Sequence, residues 1–248
     1  TTEIYTLSLH DALPILPQDA ESRPFFAWRE HLTAIGYSDA QIDSLPADIQ
    51  SGAYTLENVL EDAKKIQDAG LVEAGYGFYP RASNGPDYWQ FYLSFGGEME
   101  DGNGKLVFDK EAMAGFYQFF VDAVALGVTK KNHLGMDWGQ WYNEVANGKA
   151  AFWHGGTWHY KRYTTAEGND DFFGTIQFSL IPGGGDNGAA NTITHPLVYL
   201  LPAQDNDDET AIAAELIKIA SGPQINAVHA IKSAHLGISA SESTVDFY

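Results

Sequence analysis

The sequence contains no cysteine among its 248 residues, and it contains no apolar run long enough for a membrane-spanning helix. Without thiols the chain can form neither disulfides nor thiolate metal sites, and it cannot use a cysteine nucleophile. A helix that crosses a bilayer needs about 20 consecutive, mostly apolar residues. The sequence therefore predicts no thiol chemistry and no membrane span.

Basic residues are scarce. The chain has 14 Lys and Arg against 33 Asp and Glu, which gives a formal net charge of −19 at pH 7. This charge repels the phosphate backbone of nucleic acids and the anionic surface of membranes. We therefore expect no nucleic-acid partner and no binding to anionic membranes. Hydrophobic residues make up 44% of the chain, which is enough for a packed core.

The first 15 residues, TTEIYTLSLHDALPI, resemble one translated reading frame of a widely used sequencing adapter. We interpret residues 1–15 as a non-native segment, with the native chain beginning near Leu16. A missing signal peptide would then carry no information about location. The alternative is a genuine N-terminal strand, because residues 4–7 have β character.

Helical and extended patterns alternate along the rest of the chain. We predict helices from the apolar periodicity and from capping residues such as Ser38, Thr55, Asp109 and Asp137. The predicted helices cover 23–35, 38 to just before Pro46, 55–69, 87–95, 109–126, 137–146, 209–220 and 223–231, and another contains Trp158. The predicted strands cover 76–79, 105–108, 150–153, 175–181 and 193–201. This alternation favours an α/β class with a mostly parallel sheet.

The segment around Trp158 is the first candidate binding site. A buried strand at 150–153 is followed by Gly155 and Gly156, and Trp158 then begins a helix. Glycines let the backbone turn and approach a ligand closely, and a flat indole suits the apolar face of a sugar ring. Ligands of open α/β sheets bind at the carboxyl ends of strands. The alternative is that Trp158 packs beneath its helix as part of the core.

A second candidate consists of Asp87, Tyr88 and Trp89, which also lie between an extended segment and a helix start. Asp87 with one of the two aromatics could contact a ligand, or Asp87 could simply cap the helix. Adjacent helical residues point in different directions, so one of Tyr88 and Trp89 belongs to the core.

Three stretches resemble the family 1 extracellular solute-binding proteins of ABC importers, the maltose-binding-protein-like family. They are TLENVLEDAKKIQ at 55–67, GKAAF at 148–152 followed by GGTW at 155–158, and the region from 202 to 238. The resemblance implies a type II periplasmic-binding-protein fold with two α/β lobes. Residues 16–191 would form the C-terminal lobe, the ligand-binding half. Residues 192–248 would cross the hinge and form part of the N-terminal lobe, so that the chain is an internal fragment.

The resemblance also implies the function. The protein would bind a sugar or oligosaccharide between its lobes and deliver it to a membrane permease. It would act as a monomer in the periplasm or outside the cell, with a lipid anchor as one option, and it would need no cofactor, metal or catalytic residue. Two alternatives are a glycoside hydrolase, which needs a carboxylate pair, and a structural surface protein. His154 and His159 do not have a standard metal-ligand spacing.

Overall fold

A computed structural model describes residues 15–83, 85–201 and 206–235. The chain divides into two compact units. The smaller unit consists of Thr1–Ser22 and Thr194–Tyr248, and the larger unit is Arg23–Ile193. Of the predicted adapter-derived segment, 1–14 lie outside the described residues. Ile15 is the first residue of a strand.

The smaller unit is built on a pair of antiparallel strands. β1 (Ile15–Ser22) pairs with β5 (Thr194–Leu200), with an irregularity between Pro17 and Asp19. Two helices follow, α9 (Asp207–Ala220) and α10 (Pro223–Ser233). The resemblance implies that 16–22 belong to the C-terminal lobe; in the structure β1 groups with β5 in the smaller unit. β1 carries Pro, Gln, Asp, Glu and Ser, so it shows no strand periodicity, and its partner is far along the chain.

A three-stranded sheet forms the centre of the larger unit. β2 (Phe25–Trp28) lies between β3 (Phe152–His154) and β4 (Ile176–Ser179), and it pairs antiparallel with both. The predicted mostly parallel sheet is therefore wrong for the strands in the described residues. Residues 76–79 contribute only isolated bridges, of which Phe78 to Phe152 is parallel. The predicted helix over 23–35 is also wrong at its start, because short buried aromatic runs suit either structure.

Eight helices of the larger unit lie within the described residues. They are α1 (Arg29–Ala34), α2 (Asp39–Ser51), α3 (Leu56–Asp68), α4 (Trp89–Ser94), α5 (Lys110–Ala125), α6 (Trp138–Ala146), α7 (His159–Thr165) and α8 (Phe172–Thr175). The predicted caps Ser38, Asp109 and Asp137 are confirmed by side-chain hydrogen bonds. The predicted stop of α2 before Pro46 is wrong. The helix continues because Leu45 and Ile49 are buried on either side of the proline.

The core of the larger unit is strongly aromatic. Phe25 stacks on Phe152 with ring centroids 5.7 Å apart, and Phe26 stacks on Trp153 at 5.5 Å. Trp141 is fully buried, as its spacing along α6 predicts. No helix in the described ranges is long and apolar enough to cross a membrane.

Candidate ligand-binding site

The turn between β3 and α7 explains why two glycines are needed there. A Cβ atom on Gly155 would overlap the His159 ring, and a Cβ on Gly156 would overlap the Trp158 ring. Both glycines are buried, and neither has a positive φ. They are therefore required by the close approach of two side chains rather than by an unusual backbone conformation.

Trp158 occupies the residue just before the first turn of α7 and is half-buried. Its Nε1 donates a hydrogen bond to Tyr142 Oη at 2.8 Å, which anchors the indole to α6. The Arg23 guanidinium lies 4.3 Å from the centre of the indole, and that of Arg81 lies at 5.4 Å. Cations over an indole face are favourable contacts. The ring is thus held in a fixed orientation with part of its surface accessible.

Asp87 is buried in an ion-pair cluster with two arginines. Its Oδ1 lies 3.1 Å from Arg23 Nη1, and its Oδ2 lies 2.7 Å from Arg81 Nε. Each of the three side chains is nine-tenths buried or more. Asp87 lies inside a 3-10 turn, Pro86–Tyr88, so the expectation that it caps a helix is wrong. Its carboxylate is held instead by the stronger attraction of the guanidinium groups.

Tyr88 is half-buried and Trp89 is exposed, so the prediction that one of them belongs to the core is wrong. Tyr88 Oη donates to the backbone oxygen of Arg81 at 2.8 Å and lies 2.8 Å from His133 Nε2. Burial and the charge of Asp87 raise the pKa of Tyr88, so its phenol stays protonated. Trp89 is 41% exposed and packs edge-on against Tyr92.

A cavity of about 350 Å³ lies between α4 and α5 and is lined mainly by aromatic side chains. Tyr88 and Trp89 line it, together with Tyr117 from α5. Asp87 and Trp158 therefore both contact Arg23 and Arg81. Tyr88 and Trp89 instead line a separate cavity. Tyr88 connects the two places through its hydrogen bond to the Arg81 backbone.

His154 and His159 are fully buried beside the arginine cluster. His154 Nε2 accepts a hydrogen bond from the Arg81 backbone, and His159 Nδ1 lies 3.1 Å from Tyr163 Oη. Burial, reinforced by the positive charge of Arg81, holds the pKa of both imidazoles well below its usual value. Both are therefore neutral near pH 7. They pack against the arginines and the aromatic rings.

Arg23 and Arg81 were not predicted as site residues. Each arginine adjoins a proline, Pro24 or Pro80, at the edge of an extended segment, and neither belongs to a recognisable motif. The only signal in the sequence was its composition, because each arginine is notable in a chain with few basic residues. Their convergence on Asp87 and Trp158 depends on folding and could not be read from spacing.

No family model matches the sequence, and a search of curated proteins gave no match. The fold does match solved structures of sugar-binding proteins. Maltose-bound MalE3 of T. maritima is 21% identical, with a TM-score of 0.73 over 92% of this chain. The acarbose receptor GacH of Streptomyces glaucescens is 19% identical, with a TM-score of 0.69 over 94%. A solute-binding protein of Thermotoga lettingae bound to α-D-tagatose is 16% identical, with a TM-score of 0.69 over 94%.

These likenesses show the fold. The chain has the α/β architecture of the periplasmic binding proteins, as the sequence motifs predicted. It spans only 55–56% of the length of these three structures. The structural neighbours are binding proteins rather than enzymes. The division into C-terminal and N-terminal lobes at 191–192 stays a prediction, as do all six proposed ligand contacts.

Proposed function

We propose that this chain is part of the solute-binding component of an ABC importer, which binds a sugar or polyol and delivers it to a permease. The observation that carries the proposal is the indole of Trp158, held half-exposed beside buried guanidinium groups. Sugar recognition needs a flat apolar surface and convergent hydrogen-bond donors. Trp158 supplies the surface, and Arg23 and Arg81 supply the donors.

The neighbours support this ligand class. Their names specify maltose, acarbose, tagatose and ribitol as bound molecules. All four carry many hydroxyl groups, and none needs covalent chemistry from the protein that binds it. We extend this to the present chain as non-catalytic binding at Trp158, Gly155, Gly156 and Asp87. Tyr88 and Trp89 would form a second contact surface along the cavity. The proposed location is outside the cytoplasm, and the proposed state is a monomer.

The site can be tested by titrating the chain with maltose, tagatose and ribitol while tryptophan fluorescence is recorded. We expect Trp158→Ala to weaken binding at least about tenfold, which corresponds to about 1.4 kcal/mol. Trp158→Phe is the matched control, because it keeps an aromatic face, and it should retain most of the affinity. Circular dichroism should show that both variants fold.

Three results would overturn the proposal. Equal affinities for Trp158→Ala and the unsubstituted chain would remove Trp158 from the site. Release of new reducing ends from an oligosaccharide would indicate a glycoside hydrolase. Unfolding of both Trp158 variants would assign the residue a structural role.

A further inference from the structure

Three side chains of the smaller unit converge on one point. Asp19 Oδ2 lies 3.0 Å from His229 Nε2 and 3.0 Å from His235 Nδ1. The three atoms all lie within 4.8 Å of one another. Around a tetrahedral zinc ion with bonds of about 2.0–2.1 Å, neighbouring ligand atoms are roughly 3.3 Å apart. The two separations from Asp19, 3.0 Å each, are close to this spacing, and all three atoms lie near enough to reach one ion.

The Asp19 carboxylate is buried, and only one of its two oxygens has hydrogen-bond partners among the described residues. Its side chain is 2% exposed. The other oxygen, Oδ1, has no hydrogen-bond partner among the described residues. A buried carboxylate with an unsatisfied oxygen is costly unless charge or hydrogen bonds offset it. This second observation indicates that a cation belongs beside Asp19.

We propose that Asp19, His229 and His235 bind a divalent transition-metal ion, of which zinc is the expected one. Two imidazole nitrogens and one carboxylate oxygen form a ligand set that suits zinc. Calcium and magnesium prefer sets made of oxygen alone. Three protein ligands leave one position for water. This site is independent of the sugar-binding proposal.

Neighbouring side chains complete the surroundings of the ion. Glu21 Oε2 lies 3.6 Å from His235 Nε2, the ring nitrogen that faces away from Asp19. A carboxylate in this position orients a metal-binding imidazole. The Gln18 side-chain amide lies 2.8 Å from His229 Nε2. Because that nitrogen would bind the ion, the amide must turn aside when metal is present.

The chain builds this arrangement from three distant segments. Asp19 and Glu21 are two residues apart on β1 and so share one face of the strand. His229 comes from α10, which is tied to β1 by a hydrogen bond from the Asn226 side chain to the Gln18 backbone oxygen. Ala234 has a φ of 55° and turns the chain after α10 so that His235 reaches Asp19. The separation of these segments is why the sequence predicted no metal site.

The test is calorimetric titration of the metal-stripped 248-residue chain with zinc chloride. We expect one strongly bound zinc ion per chain. Asp19→Asn and His235→Gln should each weaken zinc binding at least about 100-fold, more than the loss of a residue that only hydrogen-bonds to a ligand would. His195→Gln is the matched control. His195 Nδ1 lies 3.7 Å from Glu21 Oε1, and His195 is not one of the three proposed ligands. The substitution His195→Gln should therefore weaken zinc binding less than about tenfold.

The proposal is overturned if the unsubstituted chain binds no zinc, or if Asp19→Asn and His235→Gln bind zinc as tightly as the unsubstituted chain does. A loss in His195→Gln as large as in the ligand variants would also overturn the assignment. If a ligand variant fails to fold, cobalt bound to the unsubstituted chain decides instead. Intense visible bands of four-coordinate cobalt support the site, and the weak spectrum of six-coordinate cobalt contradicts it.

Discussion

At the scale of single residues, Gly156 and Trp158 are coupled by their close contact. We predict that Gly156→Ala destabilises the larger unit by about 1–3 kcal/mol, because the added methyl group must displace the indole. Urea unfolding followed by tryptophan fluorescence measures this change. Gly102→Ala is the control, since Gly102 is exposed and has open space at its Cβ position. That variant should stay within about 0.5 kcal/mol of the unsubstituted chain. Equal stability of the two variants would contradict the packing described here.

Asp87 gives a second prediction at this scale. Asp87→Asn keeps the size of the side chain but leaves the guanidinium groups of Arg23 and Arg81 without their buried counter-charge. We expect the free energy of unfolding to fall by about 3–5 kcal/mol. Asp43→Asn is the comparison, because Asp43 pairs with Arg29 while its own side chain is 66% exposed. Exposed pairs contribute about 0–1 kcal/mol, so a similar loss in both variants would refute the role of burial.

At the scale of secondary-structure elements, helix α5 depends on its N-terminal cap. Asp109 accepts hydrogen bonds from the backbone N–H groups of Glu111 and Ala112. We expect Asp109→Ala to cost about 1 kcal/mol, whereas Asp109→Asn retains an acceptor oxygen and should lose much less. Thermal unfolding of the two variants checks this. Equal melting temperatures would show that the cap does not stabilise the helix.

Helices with a cap and a clear apolar periodicity could be predicted from the sequence, and α3 is an example. Helix α5 shows the limit of this approach. Its ends were predicted, and its periodicity predicts one apolar stripe, made of Met113, Phe116, Tyr117, Phe120, Val121 and Val124. That stripe is wrong for Tyr117 and Val121, which are 62% and 58% exposed. Twelve of the 16 residues of α5 are apolar, aromatic or glycine, so apolar side chains also lie off the stripe. Ala112, Phe119 and Ala123 are buried because α5 packs on other elements.

The candidate site could be predicted only in part. Trp158 and its two glycines stand out in the sequence because the residues that form a turn are neighbours along the chain. Asp87 was identified, but its partners were not, since Arg23, Arg81 and Asp87 meet only in the folded chain. Strand β1 and the metal-binding residues were missed for the same reason. Long-range pairing leaves little trace in a single sequence when the strand is polar.

At the scale of the whole molecule, stability should depend on pH. His154 and His159 have pKa values depressed by burial, so the folded state resists taking up protons that the unfolded state binds below about pH 6.5. Stability is therefore present above that pH and is lost as the pH falls. Between pH 7.5 and pH 5.5 each histidine contributes a loss of up to about 1.4 kcal/mol.

All six tryptophans lie within residues 23–193, so fluorescence-detected urea unfolding reports on the larger unit. Its midpoint should fall between pH 7.5 and pH 5.5. In the His154→Gln variant the urea midpoint should change less with pH, because one proton fewer is taken up on unfolding. A midpoint that stays constant or rises on acidification would contradict the burial of neutral histidines.

The pairing of β1 with β5 also determines the order in which the chain can fold during synthesis. Ser22 pairs with Thr194, so the polypeptide leaves the smaller unit and returns to it at adjacent positions on one ladder. During synthesis β1 emerges before β5 and has no partner strand until β5 follows. The intervening segment can collapse around its aromatic core in the meantime. That collapse shortens the loop that β1 and β5 must close and lowers its entropic cost.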